Sequence, residues 1–143
     1  MKIVLAADHG GFQLKESVKT ALESEGYEIV DLGTFNEESV DYPAFGKMAG
    51  EYVASGQAER GIAFCGTGIG ISIAANKVHG VRCAVATSDE YVRLASSHNH
   101  TNMLAMGGRF TSAEDALRYI GIWLETPWDG GRHERRAAML DDM

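Results

Sequence analysis

The stretch Gly61–Ala75, GIAFCGTGIGISIAA, passes from an apolar run ending at Cys65 to glycines at positions 66, 68 and 70, and then to a second apolar run. The first part suits a strand buried on both faces, and the last a helix that begins within the glycines and runs through Ala75. A strand feeding a helix through a tight turn is half of a βαβ unit and needs parallel partners beside it. Four further β-rich runs can supply them, at Lys2–Ala6, Glu28–Leu32, Val81–Ala86 and Met103–Met106. Most are too apolar to face water on either side, which predicts a buried sheet.

Helical periodicity fills the intervals. Leu14, Val18, Ala21 and Leu22 recur at helical spacing, with Gly26 as a C-terminal stop. Phe45, Met48, Ala49 and Tyr52 repeat the pattern after Pro43, a residue suited to a first helical turn. Ser88 opens a helix to about Ser97, with Asp89 and Glu90 favourable in its first turn. Thr111 with Glu114 forms a capping-box pattern for a stripe of Ala116, Leu117, Ile120, Trp123 and Leu124, which Pro127 ends. A last short helix carries Arg132, Arg135 and Arg136. The predicted fold class is α/β: a three-layer α/β/α sandwich, Rossmann-like, on a five-stranded parallel sheet.

The chain has 143 residues, no internal repeat and no linker, so residues 1–143 read as a single domain. Its formal charge of -7 argues against an extended nucleic-acid or anionic-membrane surface, and a small anionic substrate would need a local basic pocket. No apolar run reaches the ~18 residues of a membrane span, and Met1 leads directly into an apolar strand, so a cytoplasmic protein is expected. Two cysteines make no disulfide framework, and a reducing compartment keeps both as thiols.

In open parallel sheets ligands sit at the carboxyl ends of the strands, and the residues there are polar. Strand one exits into Asp8, His9, Gly10 and Gly11, strand three into Cys65–Gly70, and strand five into Gly107, Gly108 and Arg109. Alternate glycines let successive backbone N–H groups face one concavity, and the following helix adds its positive end, so an anion belongs there. The same field favours the thiolate of a cysteine beside it, open to roles as nucleophile or base. A nucleotide phosphate loop is the competing reading of these glycines. A dinucleotide fingerprint usually follows the first strand, however, and Ile71-Ser72 does not complete a Walker loop. Cys83, within strand four, reads as an inert buried thiol.

His98-Asn99-His100 lacks a carboxylate or cysteine at familiar ligand spacing, so no metal is expected, and His98 suits acid/base work instead. His79 reads as a surface loop residue. Arg132 and Arg136, four apart on one helical face, can clamp a phosphate or simply lie in water. His98 and Asn99 lie between a helix and the next strand, at the opposite sheet edge from Cys65. A five-residue strand separates the two edges by ~17 Å. If both groups serve one site, a second subunit must supply His98, which predicts a symmetric dimer with composite sites.

Asp8-His9-Gly10-Gly11, Asp41-Tyr42-Pro43, the CGTGIGISIAANK run from Cys65 to Lys77, His98-Asn99 followed by Thr101-Asn102, and Gly130-Gly131-Arg132-His133 together resemble ribose-5-phosphate isomerase type B. The likeness runs from Met1 to about Met139, in a family that also contains allose-6-phosphate isomerases and the subunits of galactose-6-phosphate isomerase. The resemblance implies an aldose–ketose isomerase acting on a small phosphorylated sugar, with ribose 5-phosphate and ribulose 5-phosphate as its pair and allose 6-phosphate as the rival substrate. It implies Cys65 as the proton acceptor, His98 as the acid that assists ring opening, and Thr67 as a helper in moving protons between sugar oxygens. Asp8 and His9 would contact the sugar, and Tyr42 would line the pocket. The backbone of Gly66, Thr67, Gly68, Ile69 and Gly70 would hold the enediolate oxygens. Asn99, Arg109, Arg132 and Arg136 would complete substrate and phosphate binding. It further implies no cofactor, no metal, and a homodimer or tetramer with sites shared between subunits. His100 departs from the pattern, which has an Asp after the His-Asn pair, and bears on how His98 is oriented. A nucleotide-binding module and a catalytically silent subunit are the rival classes, and the latter would be marked by loss of Cys65.

Overall fold

The structure is a computed structural model that describes residues Met1–Met143. Five strands alternate with helices in the order β1 (Lys2–Ala7), α1 (Phe12–Ser24), β2 (Glu28–Asp31), α2 (Tyr42–Ala54), β3 (Arg60–Cys65), α3 (Ile69–Asn76), β4 (Cys83–Val85), α4 (Asp89–Ser97), β5 (Met103–Gly107), α5 (Ala113–Glu125) and α6 (Arg132–Asp141). All strand pairs are parallel, and the sheet order is β2-β1-β3-β5-β4.

Side chains on a strand alternate between the two faces, and each face makes its own core. Ile3, Leu5, Ile62, Phe64, Leu104 and Met106 pack against Leu14 and Val18 of α1, Val92 of α4, and Ile120 and Trp123 of α5. Val4, Ala6, Ala63, Cys65 and Ala105 face the other way, onto Ala49 and Val53 of α2 and Ile71 and Ala75 of α3. This is the expected three-layer α/β/α sandwich. The three central strands are buried as their composition requires, whereas the edge strands β2 and β4 are mostly half-buried. Strand β4 is also shorter than the apolar run Val81–Ala86, with Cys83–Val85 alone in ladder register with β5.

Local signals account for most boundaries. Gly26, at φ +94°, closes α1, with its N–H bonded to Glu23 O and the N–H of Tyr27 to Leu22 O. The Ser88 hydroxyl caps α4 by accepting from Tyr91 N–H at 3.1 Å. At α5 the cap is Ser112, which accepts from Asp115 N–H at 3.0 Å, so the expected Thr111–Glu114 pair sits one residue out of register. On α2 the buried face is Gly46, Ala49, Gly50 and Val53, rotated from the expected stripe, and Met48 is exposed. Glycine decides that rotation: a Cβ on Gly46 would lie 2.8 Å from Ile71 O, and one on Gly50 2.9 Å from Val78 Cγ2, so α2 meets α3 through bare backbone.

Candidate active site

The sheet order reverses between β1 and β3, since β1 leads outward to β2 while β3 leads to β5 and β4. Crevices at the carboxyl end of such a switch point are where doubly wound folds bind ligands. Asp8, His9 and Cys65 stand there. The exits of β1, β3 and β5 meet through main chain: a Cβ on Gly10 would lie 3.0 Å from Gly66 N, and one on Gly108 2.3 Å from Gly10 O. Only glycine permits the second approach, and any side chain at the first would push on the Gly66 main chain.

Cys65 ends β3 almost fully buried, and its Sγ accepts the Gly68 N–H at 3.1 Å. Gly68, at φ +82°, turns the chain into α3, so the sulfur lies against the positive end of that helix. Thr67 is exposed, and its Oγ1 accepts the Ile69 N–H at 3.1 Å. The Asp8 carboxylate is buried and accepts the Gly11 N–H at 3.1 Å. His9 Nδ1 accepts the N–H of Val40 at 3.1 Å. The Arg109 guanidinium lies over Gly66, with Nη1 3.0 Å from where a Cβ would stand, and the Tyr42 ring covers Gly70 in the same way at 2.5 Å. Asp8, His9, Tyr42, Cys65, Gly66–Gly70 and Arg109 thus form one cluster.

His98, Asn99, Arg132 and Arg136 form another. Cys65 pairs with Gly107 at the carboxyl end of β5, and Gly61 with Met103 at its start, so His98, ahead of Met103, lies across the length of the sheet from the thiol. His98 stacks on His133 with ring centroids 4.2 Å apart, which fastens the start of α6 beside it. Trp128 Nε1–H donates to His98 O at 3.4 Å, and the Asp129 N–H donates to Ser97 O at 2.9 Å. His100 stacks on Trp128 at 4.4 Å, so the residue that departs from the family pattern reaches His98 through that indole. Burial, then the charges of Arg60 and Arg82, push the His100 imidazole below its ordinary value. His133 is lowered by burial and by His98. Arg132 and Arg136 are exposed and engage no carboxylate, which leaves two guanidinium groups available to an anion on an otherwise acidic protein. A groove of about 690 Å³ runs past this cluster, lined by Asn76, Val81, Tyr91, Leu94, His98 and Asn99.

His98, Asp129 and His133 present ligand atoms within 4.8 Å of one another. A metal must lie in the plane of each imidazole it binds, and two rings stacked at 15° to each other share no such position, so the stack is not a prepared metal site. Cys83 is half-buried at the start of β4, and burial pushes its thiol up to about 12, in keeping with an inert cysteine. His79 is exposed, with Nδ1 near Met143 O at 3.0 Å. His133 belongs to the Gly130–His133 motif, but the sequence alone suggests no role for it beside His98. Lys15 was also missed: it falls on the buried stripe of α1 with Val18 and Leu22, and a lysine on an apolar stripe is a legible anomaly.

A doubly wound sheet whose switch point holds a thiol against a glycine-rich helix start, with unpaired arginines on a second surface, defines a small-molecule α/β enzyme. The model of the family "Ribose/Galactose Isomerase" matches residues 3–140, and the chain belongs to that family. It is an aldose–ketose isomerase. The chain is 42% identical over 139 residues to "Ribose-5-phosphate isomerase B" of Escherichia coli, covering 97% of this chain and 93% of that protein. The structure of Clostridium thermocellum ribose-5-phosphate isomerase B superposes with a TM-score of 0.97 at 46% identity, covering 99% of this chain and 96% of that one. The Mycoplasma genitalium enzyme, solved with bound ribulose 5-phosphate, superposes with a TM-score of 0.93 at 33% identity, covering 99% of this chain and 94% of that one. No helix is long and apolar enough to cross a membrane.

Proposed function

We propose that the protein interconverts ribose 5-phosphate and ribulose 5-phosphate through a cis-enediolate, with Cys65 as the base. The closed sugar binds between the two clusters, and His98 protonates the ring oxygen to open it. The Cys65 thiolate then takes the proton from C2 of the aldose. Charge develops on the sugar oxygens, and the N–H groups from Gly66 to Gly70 receive it; fixed donors of this kind act most strongly in the transition state. The thiol returns its proton to C1, while Thr67 helps carry the hydroxyl proton from O2 to O1. Asp8, His9 and Tyr42 hold the sugar, and Asn99, Arg109, Arg132 and Arg136 hold the phosphate end. No metal or cofactor enters this scheme.

The observation that carries the reading is the Gly68 N–H directed at Cys65 Sγ at 3.1 Å, within a loop that exists to present such groups. The separation of His98 from Cys65 along the sheet supports a homodimer, alone or paired into a tetramer, in which each site draws its thiol and its imidazole from different copies. Purified Cys65→Ala, assayed against ribose 5-phosphate, is expected to lose ~10²- to 10⁴-fold in kcat with ligand affinity retained. Wild-type activity in that variant would overturn the assignment. A panel with allose 6-phosphate, run with and without chelator, should rank ribose 5-phosphate first and show no effect of chelation.

A further inference from the structure

Lys15 is fully buried in α1, an unusual place for an ammonium group. Both carboxylate oxygens of Asp31 accept from it, at 2.8 and 2.7 Å, and Glu16 accepts at 3.0 Å. The rings of Phe12 and Phe35 flank it, with centroids 5.5 and 5.4 Å away. Withdrawing two charges from water gives back little net stability, so folding alone is a weak reason for this pair.

Its position relative to the site gives a better one. Asp31 ends β2, and its Oδ1 also accepts the Gly33 N–H at 2.9 Å. Gly33 O in turn accepts from Ala7 N at 2.6 Å, and Thr34 N–H donates to Ala7 O at 2.7 Å. Ala7 immediately precedes Asp8 and His9. Farther along the same segment Gln13 bonds to Glu37, and the Val40 N–H donates to His9 Nδ1 at 3.1 Å. One stretch of chain therefore grips the exit of β1 by its backbone and by the His9 ring. Because Nδ1 accepts, the neutral imidazole carries its hydrogen on Nε2.

We propose that Lys15 and Asp31 are positioning residues for the active site: their ion pair holds the Gly33–Val40 segment in the conformation that fixes Asp8 and sets His9 as an Nε2–H donor to a sugar oxygen. The proposal rests on the reading that the exit of β1 contacts the sugar. Nuclear magnetic resonance of protein carrying ¹⁵N in its histidine rings reads the tautomer without substrate, with the His9 signals assigned by their loss in His9→Gln. Wild type should show a single Nε2–H tautomer. The decisive variant is the double substitution Lys15→Met with Asp31→Leu, since apolar replacement of both members of a buried pair commonly preserves stability. A purely structural pair would be satisfied by that exchange. A positioning pair is not, because Gly33 N–H loses its acceptor. The His9 signal should then become a mixture of tautomers, and KM for ribose 5-phosphate should rise about two- to tenfold with a smaller change in kcat. Val40→Pro, which removes the N–H donor to His9 and leaves the Lys15–Asp31 pair in place, should shift the tautomer in the same direction and serves if the double variant does not fold. A mixed wild-type spectrum, or a folded double variant with tautomer and KM unchanged, overturns the proposal. A wild type inactive on ribose 5-phosphate would overturn the functional reading alone, and the ring spectrum would still decide the positioning role.

Discussion

Gly26→Ala and Gly68→Ala place the same methyl group at two positive-φ positions, +94° and +82°, and the structure assigns them different costs. At Gly26 a Cβ meets nothing within 4 Å, so the only penalty is left-handed backbone strain, about 1–2 kcal/mol. At Gly68 the Cβ would lie 2.8 Å from Met106 C, 3.0 Å from Gly107 N and 3.1 Å from Met106 Cα, all main chain of the central strand β5. Backbone in the middle of a sheet cannot swing aside as a side-chain tip can, so crowding adds about 1–3 kcal/mol. The totals are about 1–2 against about 2–5 kcal/mol. At about 3–4 °C per kcal/mol for a chain of this size, Gly26→Ala should lower Tm by about 3–8 °C and Gly68→Ala by about 6–20 °C. Thermal unfolding followed by circular dichroism at one fixed protein concentration reads both, since association would otherwise shift the midpoints. Activity below the transition supplies the second readout. Gly68→Ala displaces the N–H that bonds Cys65 Sγ and should lower kcat about 10- to 10²-fold, whereas Gly26→Ala should not change it. Equal losses of Tm would refute the contact reasoning, and full activity in Gly68→Ala would refute the role given to the loop.

Burial pushes the Asp31 carboxyl up, but hydrogen bonds from Lys15, the Gly33 N–H and Lys19 outweigh it and hold the group below the usual range. Its contribution to stability is therefore complete above the unfolded value of about 3.9 and disappears as pH falls through the lower folded value. In urea unfolding, the gap between wild type and Asp31→Asn should stay level from about pH 7 to 5 and close below about pH 4; a gap that persists undiminished at about pH 2 contradicts the pairing. With the Cys83 thiol pushed up to about 12, iodoacetamide at about pH 8 should leave Cys83 of the folded protein largely unmodified, as peptide mass mapping can show; rapid labelling of Cys83 would contradict that. Arg136→Ala should raise KM for ribose 5-phosphate with kcat largely kept and stability within about 0.5 kcal/mol of wild type, because its exposed guanidinium bonds nothing else in the chain. A loss confined to kcat would remove Arg136 from phosphate binding.

The alternation of short apolar runs with helical stripes was legible because a buried parallel strand and an amphipathic helix leave different periods, and the Ser88 cap and Gly26 stop are local chemistry. The rotation of α2 was not, since hydrophobic periodicity counts side chains and the contact there is made by Gly46 and Gly50, which have none. Thr111 fits the capping-box spacing to Glu114, but Ser112 stands three residues before Asp115 in the same way, and only the backbone geometry separates them. Cys65, Asp8 and Arg109 could be assembled from strand exits alone. The stack of His133 on His98 depends on how α6 folds back over the turn at Trp128, a tertiary matter no spacing rule contains.

Where Gly10, Gly66 and Gly108 press their main chains together, the floor of the crevice has no side chain to enlarge, trim or exchange. Mutation can therefore do little there except damage. Divergence on this scaffold has to be written on the walls, at side chains such as Tyr42 and Arg109 that overhang the glycines. The chemistry at the base of the crevice is thereby insulated from selection on substrate size.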